Sequence, residues 1–320
     1  MVREKGIVSV RSGSLGICAG ASTIGLVKLR RGLSGPEVAW ARTRAHDGNP
    51  HACLQGMLDA AGDIEGLRVG VTGRKFRHRL NFSSISEPEA VEWAAGHVFP
   101  ADHAYRAIVS AGGETFMVYH LDDEGCIQGV YTGNKCASGT GEFFLQQLRR
   151  MDLSLDGMTR MSPPEHPHKV SGRCSVFCKS DCTHALNKGI PKGEVVAGLS
   201  MMMAAKVLEL LARLPKIPVV LIGGAAANRS MAEEIRKNVE ELHIPEEAAY
   251  FEALGAALWA LEHEATPYRR DQALFCDRES SFTFLQPLSA FRDRVQFKRH
   301  SSGEARPGDR VIVGLDVGST

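Results

Sequence analysis

The chain has 320 residues, 43% of them apolar and 23% charged, with 38 basic side chains against 37 acidic ones. That near-balance removes the electrostatic case for nucleic acid or an anionic membrane as partner. No apolar run approaches the length of a spanning helix, and Met1-Val2-Arg3-Glu4-Lys5 lacks a signal peptide's apolar core, so a cytoplasmic protein is expected. Eight cysteines then sit in a reducing compartment, where clustered thiols point to metal or redox chemistry rather than disulfides. Cys18, Cys53, Cys126 and Cys276 are scattered and read as small buried hydrophobes. Cys136, Cys174, Cys178 and Cys182 call for more.

In chain order, Ser14 to Leu29 reads as strand, tight glycine turn, strand, with Arg30-Arg31-Gly32 as the next turn. A turn carrying Gly20, Ser22 and Thr23 can wrap a phosphate with backbone N–H groups and hydroxyls, and it can equally be a plain surface hairpin. A helix is expected over Pro50 to Ala61, then a short strand over Leu67 to Thr72. Ser86-Glu87-Pro88-Glu89 has the form of a helix cap with acidic residues and a proline in its first turn. Ala107 to Tyr119 repeats the opening theme, with Gly112 and Gly113 between two strands. Two such turns, roughly ninety residues apart, suggest two phosphate loops facing one nucleotide.

Asn134-Lys135-Cys136-Ala137-Ser138-Gly139-Thr140-Gly141-Glu142 places a thiol just ahead of a Gly-Thr-Gly turn that opens an amphipathic helix. A helix N-terminus favours an anionic ligand, whether a phosphate or a thiolate-bound metal cluster. A glycine-rich loop with a buried cysteine fits the same residues. The proline- and histidine-rich stretch from Ser162 to Lys169 reads as a loop, and its histidines lack ligand spacing. Beyond it, spacings of four put Cys174, Cys178 and Cys182 on one helical stripe. The stripe presents soft ligands or a buried face, and its spacing is not a usual structural zinc pattern.

A long amphipathic helix from about Lys192 to Arg213 precedes a buried strand that ends at Gly223-Gly224. Asn228 and Ser230 then read as caps, with Glu233 completing a capping box. A strand ending in glycines before a capped helix is a common nucleotide-facing edge. Residues 252–263 read as a small-residue closing helix. Residues 266–308 read as a polar connector, and 309–320 as the start of a second, truncated module, because its strand and glycine turn repeat those of Ser14 to Ser22.

Several of these segments resemble the activator ATPases of 2-hydroxyacyl-CoA dehydratases and benzoyl-CoA reductases, the BadF/BadG/BcrA/BcrD family. The resemblance spans roughly residues 14–262, and its most specific motifs are Asn134 to Gly141 and Arg173-Cys174-Ser175-Val176-Phe177. Gly223 to Asn228 is similar to the family's adenosine-side motif and Ala253 to Leu258 to its closing helix. The resemblance implies an α/β fold of the actin/hexokinase/Hsp70-like (ribonuclease H-like) class. Two lobes, roughly 1–130 and 131–250 within a module of 1–265, are then expected around a nucleotide cleft.

The resemblance further implies ATP or ADP with Mg²⁺ held by Gly20, Ser22, Thr23, Gly112, Gly113, Gly139, Thr140, Gly141, Gly223, Gly224 and Asn228. It implies a [4Fe–4S] cluster on Cys136 and Cys174, with two thiolates from each member of a dimer or of a tandem pair. The implied partner is a CoA-ester dehydratase or reductase component that receives an electron. The chain departs from the family where aspartates are expected, at Cys18, at Ser110 and at Thr115, which puts the Mg²⁺ anchor in doubt. Asp316 in the terminal segment keeps such an acid. The alternative reading is therefore a degenerate pseudo-ATPase that carries the cluster for a second, active module. A small-molecule kinase on the same fold is disfavoured by the cysteine motifs and the missing acids.

Overall fold

The computed structural model describes residues 13–74, 76–100, 103–133, 140–159, 164, 166–172, 174–276, 288–296, 298 and 303–315. Residues up to Asp277 form one compact unit, and those from Arg278 onward form another.

Within the first unit, two five-stranded sheets repeat one connectivity. β1 (Gly13–Ala19), β2 (Thr23–Gly32) and β3 (Gly35–Ala45) run as an antiparallel meander. After α1 (Pro50–Asp59), β4 (Arg68–Thr72) pairs parallel to β1, and β5 (Ser83–Ser84) pairs parallel to β4. The resulting order is β3-β2-β1-β4-β5. Helix α2 (Glu87–Val98) follows, with the Ser86 hydroxyl accepting the Glu89 N–H at 3.3 Å, as the cap sequence predicts.

The second sheet starts with β6 (Ala107–Ala111), β7 (Phe116–Leu121) and β8 (Ile127–Thr132), again antiparallel. Helices α3 (Gly141–Arg150), α4 (Leu155–Thr159), α5 (Ser175–Asn187) and α6 (Lys192–Leu211) intervene before β9 (Val219–Ile222) joins parallel to β6. Helix α7 (Arg229–Arg236) and β10 (Leu242–His243) complete the lobe in the order β10-β9-β6-β7-β8. This sheet begins at Ala107, so the lobe boundary falls ahead of the position near 130 expected from sequence. Both central strands are buried on both faces, which is why they read as continuous apolar runs.

The closing helix, α8 (Phe251–Glu262), returns to the first lobe and lies on β1, β4 and α2. Its seat is made of small residues. A Cβ at Gly16 would strike the carbonyl of Ala253, one at Gly70 that of Ala256, and one at Gly255 that of Ala90 on α2. The Ser14 hydroxyl donates to the Ala257 carbonyl at 2.6 Å across the same contact.

Four expectations change. β3 has no counterpart in the sequence reading. Asn228 alone caps α7, its side-chain Oδ1 accepting the Met231 N–H at 3.1 Å; Ser230 lies inside the helix. Residues 266–276, read as part of the connector, are docked along the first lobe. The Tyr268 N–H donates to the Leu67 carbonyl at 2.8 Å, the Asn81 N–H donates to the Leu274 carbonyl at 2.9 Å, and Tyr268 and Leu274 are buried. The strand expected from Arg310 does not form among the described residues 309–315, where Val311, Ile312, Val313 and Leu315 are exposed without a sheet partner. Asp316 lies outside the described residues. No described helix is long and apolar enough to cross a membrane.

Substitution of alanine at Gly16 or Gly255 forces backbone to move against backbone and should cost about 3 kcal/mol in urea unfolding. Gly56, inside α1 with open space around it, is the control. Alanine there should instead stabilise by about 0.5–1 kcal/mol.

Candidate functional site

The two hairpin turns face each other across a cleft of about 420 Å³. In the first turn the Gly20 N–H donates to the Thr23 carbonyl at 3.0 Å, leaving Ser22 at the tip facing the second turn. There the backbone of Gly113 runs so close to Ser22 that a Cβ would collide with its hydroxyl. Gly20, Ser22 and Thr23 line one wall of the cleft, and Gly112 and Gly113 line the other.

The lobes' shared connectivity puts equivalent residues at equivalent places. Cys18 is the penultimate residue of β1 and Ser110 that of β6, paired in register with Thr72 of β4 and Ile222 of β9 respectively. Each parallel partner then runs into a glycine with positive φ: Gly73 at +118° against the Ala19 backbone, and Gly223 at +92° against that of Ala111. No side chain fits at either, so the chain turns sharply there at the cleft edge. Gly223, Gly224 and Asn228 line this far edge, and Tyr250 joins them. Asn228 is buried, capping α7 with its oxygen and donating from Nδ2 to the Ser200 hydroxyl at 3.0 Å.

The inner wall carries charge that the strand-ending residues do not. Arg74 and Glu87 pair at 3.2 Å. Glu252, from the first turn of α8, accepts the Ser110 hydroxyl at 2.9 Å. Burial holds the Glu252 carboxyl above the usual carboxylate range, with the hydroxyl and a backbone N–H opposing it. Burial, reinforced by the charges of Glu252 and Glu87, pushes the Cys18 thiol up. Glu87 had a sequence signal in the cap before α2. Glu252, Arg74 and Tyr250 had none, because their place in the cleft follows from chain crossings.

Helix α3 ties the cysteine loop to the second turn. The Gly141 N–H donates to the Gly112 carbonyl at 3.2 Å, and that of Glu142 to Gly113 at 3.0 Å. Thr140 is the N-cap, accepting the Phe143 N–H at 3.3 Å, and it does not line the cleft, whereas Gly141 does. The first-turn amides of α3 are thus committed to protein acceptors, and the helix end is a joint instead of an open anion site. Cys136 and Gly139 lie outside the described residues. At the other end of α3, Arg150 donates to the Thr183 hydroxyl of α5 at 3.2 Å.

Cys174, half-buried, is the N-cap residue of α5, with no side-chain cap bond and no acidic residue in the first turn. Val176 and Phe177 beside it are exposed. Cys178 and Cys182 are buried in the core of the second lobe, and their mutual hydrogen bond, with burial, pushes the Cys178 thiol up. Among the described residues no three His, Cys, Asp or Glu side chains gather to hold a metal, this stripe included.

The BadF/BadG/BcrA/BcrD ATPase family matches residues 28–260. The chain is 30% identical to "Activator of lactoyl-CoA dehydratase" of Anaerotignum propionicum, over 65% of this chain and 83% of that one. It is 31% identical to "2-hydroxyisocaproyl-CoA dehydratase activator" of Clostridioides difficile, over 61% of this chain and 74% of the relative. Among solved structures, the Clostridium difficile activator of 2-hydroxyisocaproyl-CoA dehydratase with bound ADPNP superposes with a TM-score of 0.67 at 24% identity, covering 78% of this chain and 94% of that one. Component A of the Acidaminococcus fermentans (R)-2-hydroxyglutaryl-CoA dehydratase gives 0.63 at 22% identity, covering 78% and 98%. These likenesses bear out the two-lobe α/β fold of the actin/hexokinase class. The family's match takes in the second glycine turn and most of the closing helix, and the chain belongs to the BadF/BadG/BcrA/BcrD ATPase family.

Proposed function

We propose that the chain binds ATP between its two glycine turns and acts as an ATP-linked, iron–sulfur electron-transfer activator of a CoA-ester dehydratase or reductase. The observation that carries this reading is the joint at α3. The turn that would touch a phosphate, Gly112-Gly113, holds the first amides of the helix that follows the Cys136 loop. A change in that turn on nucleotide binding or loss is passed to α3, and through Arg150 and Thr183 to α5, whose N-cap is Cys174.

The described half of the donor set fits a [4Fe–4S] cluster. Cys174 stands at a helix N-terminus that lacks an acidic cap, where the unsatisfied amides favour a thiolate-bound anion. Four thiolates complete such a cluster, and Cys136 with Cys174 supply two, so a second subunit or module supplies the rest. When bound, the cluster supplies one-electron transfer at low potential. The exposed Val176 and Phe177 beside Cys174 suit the surface that such a partner covers.

The second reading, a pseudo-ATPase that holds the cluster for another module, is favoured by Cys18 and Ser110, which end their strands without a carboxylate. Hydrolysis separates the readings: steady ATP turnover by the purified chain overturns the pseudo-ATPase.

Protein purified without oxygen should contain roughly two iron and two sulfide per chain. Cys136→Ala and Cys174→Ala should each bring both to near zero with the fold kept, and retention of the cluster in both variants overturns the ligand assignment. In cluster-free protein, iodoacetamide at pH 8 should modify Cys174 and the exposed Cys126 before Cys18, Cys178 and Cys182, with mass spectrometry as the readout. Denaturant should remove the difference.

A further inference from the structure

A divalent cation that travels with a nucleotide keeps several waters and takes one or two carboxylates besides the phosphates. Neither hairpin offers a carboxylate at its strand end, since β1 closes on Cys18-Ala19 and β6 on Ser110-Ala111. Glu114 lines the cleft from the second turn but stands open to solvent, and Glu87 is taken up by Arg74. Glu252 is different. It reaches the inner wall from α8, accepts the hydroxyl of Ser110, and has no cation partner among the described residues. A shielded carboxylate without a counter-charge is costly, and sites of use are where such groups are kept.

One hydroxyl gives an independent pointer to a ligand in the cleft. Ser22 Oγ, on the cleft wall, is cut off from solvent with no hydrogen-bond partner among the described residues. Buried hydroxyls are satisfied in finished structures, by protein, water or ligand. Among the described residues no three His, Cys, Asp or Glu side chains gather to hold a metal by themselves. A cation here therefore takes most of its ligands from phosphate and water, and one carboxylate is enough to hold it.

Resting on the nucleotide-cleft reading above, we infer that Glu252 is the positioning carboxylate for a divalent cation entering on a nucleoside di- or triphosphate, supplied by α8 instead of by either glycine turn. The negative charge that the strand ends lack arrives from a helix that is distant in sequence and locked against β1.

The test is calorimetric binding of ADP to the full chain, with Mg²⁺ and with EDTA. Wild type should bind Mg·ADP about tenfold or more tightly than ADP alone, within the range that supporting groups contribute at metal sites. Glu252→Gln should bring the two affinities to within about twofold while ADP in EDTA binds as well as before or better. Mn²⁺ added with ADP should give a protein-bound electron paramagnetic resonance signal in wild type that E252Q loses. An unchanged Mg²⁺ increment in E252Q overturns the inference, and so does an equal gain with and without Mg²⁺, which would mark Glu252 as a repeller of phosphate. If E252Q fails to fold, Ser110→Ala, which keeps the carboxylate but not its orienting hydroxyl, should show a smaller loss of the increment, and no loss overturns the inference. Failure of wild type to bind ADP under either condition overturns the nucleotide reading itself and the inference with it; binding without dependence on Glu252 overturns only the latter.

Discussion

The contact on which the molecule depends is the seating of α8 on β1, β4 and α2. Gly16 and Gly70 let α8 meet the sheet backbone, and Gly255 lets it meet α2, at distances no side chain allows. Interiors packed that tightly transmit displacement instead of absorbing it. The same helix presents Glu252 to Ser110, a residue of the other lobe's leading strand. One element thus belongs structurally to the first lobe and chemically to both.

Repetition of one sheet topology explains why the cleft has its form. Two copies of a strand, a glycine turn and a returning strand place Cys18 opposite Ser110, and two glycines of positive φ bend the parallel partners away from the same gap. The turns touch through Ser22 and Gly113, and they bring glycine backbone to both walls of the cleft beside the charged side chains of Arg74, Glu87 and Glu252. Backbone walls suit phosphates, which are read by N–H groups and not by side-chain identity. The charged side chains of the inner wall are where this chain's particular chemistry resides.

Much of this was legible in the sequence. The glycine turns, the cap at Ser86, the strand before Gly223 and the small-residue helix were visible because each is dictated by local rules of period, capping and φ. The cleft-facing glycines followed from those elements. Glu252 was hidden, since it reads as an ordinary acidic first-turn residue and becomes part of the site only when α8 crosses back to β1. The docking of 266–276 was hidden for a related reason: its ties at Tyr268 and Leu274 are largely backbone pairings, which leave no hydrophobic period to read. At Asn228 the sequence offered two candidate caps, and the geometry chose the one whose amide also reaches Ser200.

The return of α8 and of residues 266–276 to the first lobe also bears on how the chain acquires its shape. Ser14 and Ala257, bonded across the seat of the closing helix, stand 243 residues apart. The sheet of the second lobe, from β6 to β10, is built from one continuous stretch, whereas the first lobe needs both ends of the module. Contacts so far apart in sequence form late, because loop closure must precede them. During synthesis the second lobe is therefore free to fold while the first waits, its β1 and β4 uncovered, until the closing helix emerges. Within the first unit, the opening strands wait longest for their partners.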